Sequence, residues 1–119
     1  VKPVMADALK ICETFADGEL DLIVSNPPYI KSADIETLQK EVRLEPRLAL
    51  DGGEDGYDFY REIVSRWSRK LKKGGALAFE LGENQADAVK ALMTDKGFSD
   101  FKISLDFGGV QRAIIGTLL

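Results

Sequence analysis

The residues best suited to chemistry follow a short apolar segment near the start of the chain. Residues 20–24 are apolar apart from one aspartate, and after Ser25 come Asn26, Pro27, Pro28 and Tyr29. A residue that precedes a proline is held in extended geometry, and a proline has no N–H to donate. The carbonyl groups of Asn26 and Pro27 are therefore left free to accept hydrogen bonds, because no helix can begin there at once. The Asn26 side chain adds one acceptor and two donors, and Tyr29 adds a flat aromatic face.

These groups fit a planar –NH2 group attached to a conjugated carbon, as in an amide or an amino-base. The nitrogen of such a group is a weak nucleophile because its lone pair is delocalised. Two acceptors on its hydrogens could localise that pair towards an electrophile, and holding the reactants in line supplies most of the remaining help. The alternative is a rigid turn that only ends a strand. A buried strand that leads directly into Asn-Pro-Pro-aromatic favours the ligand site.

The elements around this corner alternate between strands and helices. Residues 20–24 and 76–81 lack clean alternation, which is typical of central strands in a parallel sheet covered on both faces. The second strand is expected to start after a turn at Gly74-Gly75. Two later strands at 101–107 and 112–118 are expected to form a hairpin through Gly108-Gly109.

Three apolar stripes at helical spacing lie between the predicted strands. They consist of Phe59, Tyr60, Ile63, Val64, Trp67 and Leu71; of Ala86, Val89, Leu92 and Met93; and of Ile35, Leu38 and Val42. Alternating strands and helices predict an α/β fold with a mostly parallel sheet, to which the closing hairpin adds one antiparallel strand. In such sheets ligands bind beyond the carboxyl ends of the strands, where Asn26 lies.

Composition excludes several classes of function. A chain of 119 residues with 45% apolar and 30% charged residues predicts one folded domain over 1–119. The net charge of −4 argues against a protein held mainly by nucleic-acid phosphates. The chain has no histidine and one cysteine, Cys12, so catalysis through histidine, a disulfide and a zinc site are not expected. No apolar segment is long enough to span a membrane, and we expect a cytoplasmic protein without a metal.

Three further features have simpler interpretations. Residues 51–62 nearly match a calcium loop, but Gly53 occupies a ligand position, so an acidic turn before a helix is the better interpretation. A basic cluster at 66–73 is expected to be a solvated face at a helix end. Glu80 ends a central strand near the site, where it could contact substrate, orient Asn26 or make a structural hydrogen bond.

The corner also resembles a known motif. Ser25-Asn26-Pro27-Pro28-Tyr29 resembles the Asn-Pro-Pro-Tyr motif of S-adenosylmethionine-dependent methyltransferases that act on amino groups. Other segments resemble the HemK/PrmC family, which methylates the side-chain amide nitrogen of the glutamine in the Gly-Gly-Gln motif of peptide chain release factors. These segments are Glu41-Val42-Arg43, Glu45-Pro46-Arg47-Leu48-Ala49-Leu50, Gly52-Gly53-Glu54-Asp55-Gly56, Phe79-Glu80-Leu81-Gly82 with Gln85, and Asp106-Phe107-Gly108-Gly109 with Arg112 and Gly116.

The resemblance implies the carboxyl-terminal half of a Rossmann-like class I methyltransferase sheet. It implies S-adenosylmethionine as cofactor and release factors as partners. By position, Asp7 and Ala8 correspond to an acidic residue and an adenine-contacting residue, and Asn26 lies near the methyl donor. The residues that would bind and orient the glutamine amide are Asn26, Pro27, Pro28 and Tyr29.

Other parts of such an enzyme are expected to lie outside these 119 residues. They are the glycine-rich loop that holds the methionine end of the cofactor, the acidic residue that holds its ribose, and a helical domain that docks the release factor. The cofactor site is therefore expected to be incomplete, and residues 20–24 are expected to form a sheet edge that pairs with a second copy. Two alternatives remain: methylation of a DNA or RNA amino-base stacked on Tyr29, and a non-catalytic fragment that self-associates.

Overall fold

The centre of the molecule is a mixed four-stranded sheet. The computed structural model describes residues 2–35 and 47–119. Across the sheet the order is β1-β2-β4-β3, with β1 at Leu20–Ser25, β2 at Leu71–Glu80, β3 at Phe98–Leu105 and β4 at Gln111–Leu118. β1 and β2 are parallel, and β4 is antiparallel to both β2 and β3. Three of these strands thus run in one direction, which confirms the predicted α/β sheet with one antiparallel strand.

Two boundaries around β2 differ from the prediction. Leu71 continues the helical spacing of the preceding stripe, but it is the first residue of β2 and pairs with Leu20. Gly74-Gly75 does not form a turn before the strand. It lies inside β2, where the register with β1 shifts and Gly74 has a φ of 85°. A bulge therefore stands where the glycine pair predicted a turn, because a glycine at positive φ can bend a strand without ending it.

The helices in the described residues are short except for two. They are α1 (Ala8–Ile11), α2 (Ser32–Ile35), α3 (Arg47–Leu50), α4 (Asp58–Trp67) and α5 (Ala86–Asp95), with 3-10 turns at Cys12–Thr14 and Ser68–Lys70. The predicted stripes of α4 and α5 are the faces that they bury: Tyr60, Ile63, Val64, Ala86, Val89 and Met93. These side chains form the core together with Leu77 and Phe79 of β2. Of the third stripe, only Ile35 lies within the described residues, at the end of α2, whereas Leu38, Val42 and the segment at 41–46 lie outside them.

Side chains from the end of α4 and the turn after it attach α1 and the following loop to the rest of the fold. The indole N–H of Trp67 donates to the carbonyl of Ala8 at 2.9 Å, and Arg66 donates to that of Leu9 at 3.2 Å. Lys70 is buried and donates to the Phe15 carbonyl and the Asp17 carboxylate at 2.9 and 3.0 Å. The prediction of a solvated basic face is therefore wrong for Lys70, because its ammonium group is bound to the loop at 15–17.

No helix in residues 2–35 and 47–119 combines the length and the apolar character that crossing a membrane requires.

Candidate active site

A cavity of about 360 Å³ opens where β1 and β2 end. Asn26 is exposed at its mouth, Pro27 is buried, and Tyr29 is half-buried. The sequence predicted these residues as one site, and the structure brings them together. Among the described residues, those that line it are Asn26, Pro27, Pro28, Tyr29, Ile30, Ala49, Leu50 and Glu80.

The parallel register places Asn26 beside Glu80. Ser25 pairs with Phe79. The residues that follow them, Asn26 and Glu80, therefore stand at the carboxyl ends of the two strands, and both line the cavity. The Glu80 side chain is exposed, while its main-chain carbonyl accepts a hydrogen bond from Tyr60. Within the described parts of the chain, no turn or loop hydrogen bond ends on the carbonyl oxygen of Asn26 or Pro27. These oxygens can therefore accept from a ligand.

A loop at 51–56 supports the corner from behind. Ile30 donates to the Leu50 carbonyl at 3.1 Å and its own carbonyl accepts from Gly52 at 2.8 Å, which forms a parallel bridge between Ile30 and Asp51. The Asp51 carboxylate accepts hydrogen bonds from the Ser32 hydroxyl at 2.6 Å and from the Gly53 N–H at 2.9 Å. The acidic turn predicted here is thus a scaffold for the Asn-Pro-Pro-Tyr corner.

Three glycines allow the main chain to pass close to Tyr29. A Cβ on Gly52 would stand 2.7 Å from the Tyr29 Cα, and one on Gly56 would stand 2.6 Å from the Tyr29 carbonyl oxygen. On the opposite side, a Cβ on Gly82 would stand 2.7 Å from the Tyr29 ring. Real Cβ atoms do not approach this closely, so the position of Tyr29 depends on the absence of these side chains.

Gln85 connects the corner to the end of β2. Its side chain is buried, and its Nε2 donates to the Tyr29 carbonyl at 3.0 Å. Its Oε1 accepts from the Gly82 N–H at 2.9 Å and from the Tyr60 hydroxyl at 3.2 Å. The sequence identified Gln85 only as part of a resembling segment, because a polar residue at a helix N-terminus gives no sign of its burial.

Tyr60 completes this network from α4. Its single hydroxyl hydrogen is shared between the Glu80 carbonyl at 2.8 Å and the Gln85 Oε1 at 3.2 Å, and the ring packs edge-on against Phe79 at 5.2 Å. Burial raises the pKa of Tyr60 well above its ordinary value, so its hydroxyl stays protonated as a donor. Helical spacing identified Tyr60 as a core residue but could not show that its hydroxyl reaches the end of β2.

The predicted cofactor residues near the start of the chain lie in a separate element. Asp7 caps α1, where its Oδ1 accepts from the Leu9 N–H at 2.9 Å. Ala8 is the first residue of the same helix, and its carbonyl accepts from Trp67. Neither residue lines the cavity that contains Asn26. In the described residues no group of three or more His, Cys, Asp or Glu side chains is arranged to hold a metal ion.

The sequence is similar to those of curated bacterial enzymes. It is 50% identical over 107 residues to the release factor glutamine methyltransferase of Geobacter sulfurreducens, and 47% identical over 97 residues to that of Caulobacter vibrioides. The matches cover 89% and 81% of this chain but only 38% and 34% of those proteins. The chain therefore spans little more than a third of their length. No protein-family model matches it.

The fold is similar to that of a solved enzyme. The crystal structure of a release factor-specific protein-(glutamine-N5) methyltransferase from Alicyclobacillus acidocaldarius aligns with a TM-score of 0.55 at 27% identity. The alignment covers 92% of this chain and 54% of that one. Sequence and fold agree with the resemblance carried by the motifs, and the chain belongs to the family of the release factor glutamine methyltransferases.

Proposed function

We propose that the protein containing this chain transfers the methyl group of S-adenosylmethionine to a glutamine side-chain amide in the Gly-Gly-Gln motif of a release factor. The observation that carries the proposal is the cavity at the end of β1, where Asn26 and two open carbonyls stand beside Glu80. Relatives at 50% and 47% identity are named as enzymes of this activity.

The acceptor groups of the corner suit the chemistry of an amide nitrogen. The Asn26 side-chain oxygen and the Pro27 carbonyl would accept hydrogen bonds from the two hydrogens of the glutamine –NH2, which localises the nitrogen lone pair. Held in this way, the nitrogen would be directed at the methyl group that S-adenosylmethionine would supply, with the cofactor sulfur as the leaving group. The methylated nitrogen would lose one proton to water. The half-buried ring of Tyr29 would flank the planar amide.

The charge of the cavity favours a neutral substrate. Glu80 is the only ionisable residue other than Tyr29 among its described lining residues, and no lysine or arginine lines it there. A phosphate-bearing substrate would meet a carboxylate without a compensating cation, which costs binding free energy. A glutamine amide has no charge, and its N–H groups can donate hydrogen bonds to a carboxylate. The cavity therefore supports a protein amide over a nucleotide as the methyl acceptor.

The residues present fit one part of a cofactor site. Asp7 uses one carboxylate oxygen to cap α1, and in the described residues neither its other oxygen nor the Ala8 N–H makes a hydrogen bond. An acceptor next to a donor matches the amino group and ring nitrogen at the edge of adenine. S-adenosylmethionine supplies the electrophilic methyl group when bound. The glycine-rich loop and the ribose-binding acid of the family would complete the site from outside these residues.

The proposal is tested with the full-length gene product. We would incubate it with S-adenosylmethionine carrying a labelled methyl group, and offer release factor or DNA in separate reactions. We expect label on the release factor, located by mass spectrometry on the glutamine of its Gly-Gly-Gln motif. Asn26→Ala should lower kcat by about a hundredfold or more, because an oriented transition-state contact is lost.

A matched control separates this loss from a general loss of folding. Lys102→Ala changes an exposed residue of β3, the edge strand opposite β1, and should leave kcat within about twofold of the wild-type value. Label on DNA but not on release factor would replace the proposed substrate by an amino-base. Equal activity of Asn26→Ala and the wild type would remove Asn26 from the reaction.

A further inference from the structure

We propose that Gln85 is a positioning residue for methyl transfer, which fixes the Asn-Pro-Pro-Tyr corner against the end of β2. The proposal rests on the proposed function and deepens it. Gln85 does not line the cavity at the ends of β1 and β2, so it would act through Tyr29 rather than on the substrate. The three hydrogen bonds of its side chain are the evidence.

The partners of Gln85 determine the orientation of its amide. The Gly82 N–H can only donate, so it must face Oε1, and the Tyr29 carbonyl can only accept, so it must face Nε2. The side chain is 8% exposed, and a reversed amide would bury two mismatched contacts. The position of the Tyr29 carbonyl is thus coupled to the main chain at the end of β2.

The two prolines limit the main-chain hydrogen bonds that the corner can donate. Pro27 and Pro28 have no N–H groups, so two of the four residues between β1 and Ile30 cannot donate from the main chain. At its start Asn26 continues from β1, and after it Ile30 is fixed by Leu50 and Gly52. Between these points, the Gln85 Nε2 donates to the Tyr29 carbonyl at 3.0 Å. A loss of this bond would remove a direct link between the corner and the end of β2.

Small displacements at this place are expected to matter. Methyl transfer requires the nitrogen, the methyl carbon and the sulfur in line, and an error of about 1 Å can lower the rate by about a hundredfold. Substrate binding depends on many other contacts and is less sensitive to the same error. A positioning role therefore predicts a change in kcat with little change in KM.

The test compares two variants of the full-length gene product. Gln85→Glu keeps the length and the acceptor oxygen, but it turns a carboxylate oxygen towards the Tyr29 carbonyl in place of the donor. Tyr60→Phe keeps the contact between Gln85 and Tyr29 and removes only the hydroxyl. Both variants lose buried hydrogen bonds, so both should lower the melting temperature.

We expect the kinetics of the two variants to differ. Gln85→Glu should lower kcat by about 10- to 100-fold and change KM for either substrate by less than about threefold. Tyr60→Phe should lower kcat by less than about threefold. If both variants lower kcat by the same factor for the same decrease in melting temperature, Gln85 has a structural role only and the proposal is overturned.

A second variant and a second measurement keep the test independent of folding and of substrate. Gly82→Ala places a Cβ 2.6 Å from the Gln85 Oε1 and 2.7 Å from the Tyr29 ring, so it disturbs both residues of the link and should reproduce the loss of kcat if Gln85→Glu does not fold. Incorporated 3-fluorotyrosine reports the position of Tyr29 by 19F NMR, assigned with Tyr→Phe variants. A shifted Tyr29 signal in Gln85→Glu supports the positioning role even if the release factor is not the substrate. An unchanged signal contradicts it.

Discussion

At the scale of single residues, the loop behind the candidate site is fixed by charge as well as by glycine. Arg61 makes two hydrogen bonds to the Asp55 carboxylate, at 2.9 and 3.1 Å, and the Tyr57 N–H donates to the same group at 2.9 Å. The hydrogen bonds from Arg61 are the main cause that lowers the pKa of Asp55 from 3.8 to about 2. The pair joins the loop at 51–56 to α4, and both partners are accessible to solvent.

The lowered pKa of Asp55 gives stability a defined pH dependence. A carboxyl group whose pKa is lower in the folded state stabilises the fold above its unfolded pKa, and this contribution is lost as the pH falls through the folded value. For Asp55 the loss is expected between pH 3.8 and about 2. The melting temperature of the wild type should therefore fall more steeply over this interval than that of Asp55→Asn, measured by circular dichroism.

Asp87→Asn is the matched control for this titration. Asp87 is exposed on the first turn of α5, and no ion pair of Asp87 with another described residue is found. The melting temperature of Asp87→Asn should therefore decrease with falling pH as steeply as that of the wild type. Parallel slopes for the wild type and Asp55→Asn would contradict the role assigned to the pair with Arg61.

At the scale of elements, the loop at 51–56 and the corner at 26–29 act as one unit because their main chains touch. A Cβ on Gly52 would stand within 3 Å of the Tyr29 Cα, the Gly56 oxygen and the Pro28 oxygen. All three are main-chain atoms, so no side-chain rotation can relieve the contact. The two segments must separate if Gly52 gains a side chain.

Gly52→Ala should therefore lower the free energy of unfolding by about 1–3 kcal/mol, measured by urea denaturation. Gly108→Ala is the control, since its Cβ would meet only the Asp106 side chain at 3.3 Å in an exposed turn. We expect its effect to be within about 0.5 kcal/mol. A Gly52→Ala protein as stable as the wild type would mean that the loop can move away from the corner at little cost.

The elements also show where reasoning from sequence succeeds. The stripes of α4 and α5 were predicted because the burial of one helix face leaves a local pattern. The strand that leads to Asn26 was also predicted, but the prediction that it is buried on both faces is wrong, since β1 is an edge strand and none of its residues is buried. The start of β2 was missed because Leu71 fits a helical and an extended pattern equally well. The hydrogen bonds of Gln85 and Tyr60 could not be predicted, since their partners lie 56 and 20 residues away along the chain.

At the scale of the whole molecule, the two edges of the sheet differ. β3 carries Asp100 at a φ of 54°, a register shift and the exposed Lys102, which are features that discourage pairing with another chain. β1 has none of these along its second half and leaves Leu22 55% and Val24 71% exposed. The predicted edge at residues 20–24 is therefore present, and it has fewer features that oppose strand pairing than the β3 edge.

We expect this chain on its own to self-associate through β1. Val24→Lys should shift the mass measured by light scattering at high concentration towards that of a monomer, because a charge at the edge opposes strand pairing. Ser104→Lys adds the same charge to an exposed position of β3 and should leave the mass unchanged. A wild-type chain that remains monomeric at high concentration would show that the β1 edge does not pair.

The position of β4 between β2 and β3 has a consequence for synthesis on the ribosome. β2 carries Glu80, and its second neighbour is β4, whose Arg112 carbonyl also accepts from Leu81. A nascent chain that has completed β2, α5 and β3 still presents one unpaired edge on β2 and one on β3 until β4 emerges from the exit tunnel. Pairing between segments that are distant along the chain is slow, so β2, which carries Glu80, gains its second neighbour only after β4 has been synthesised.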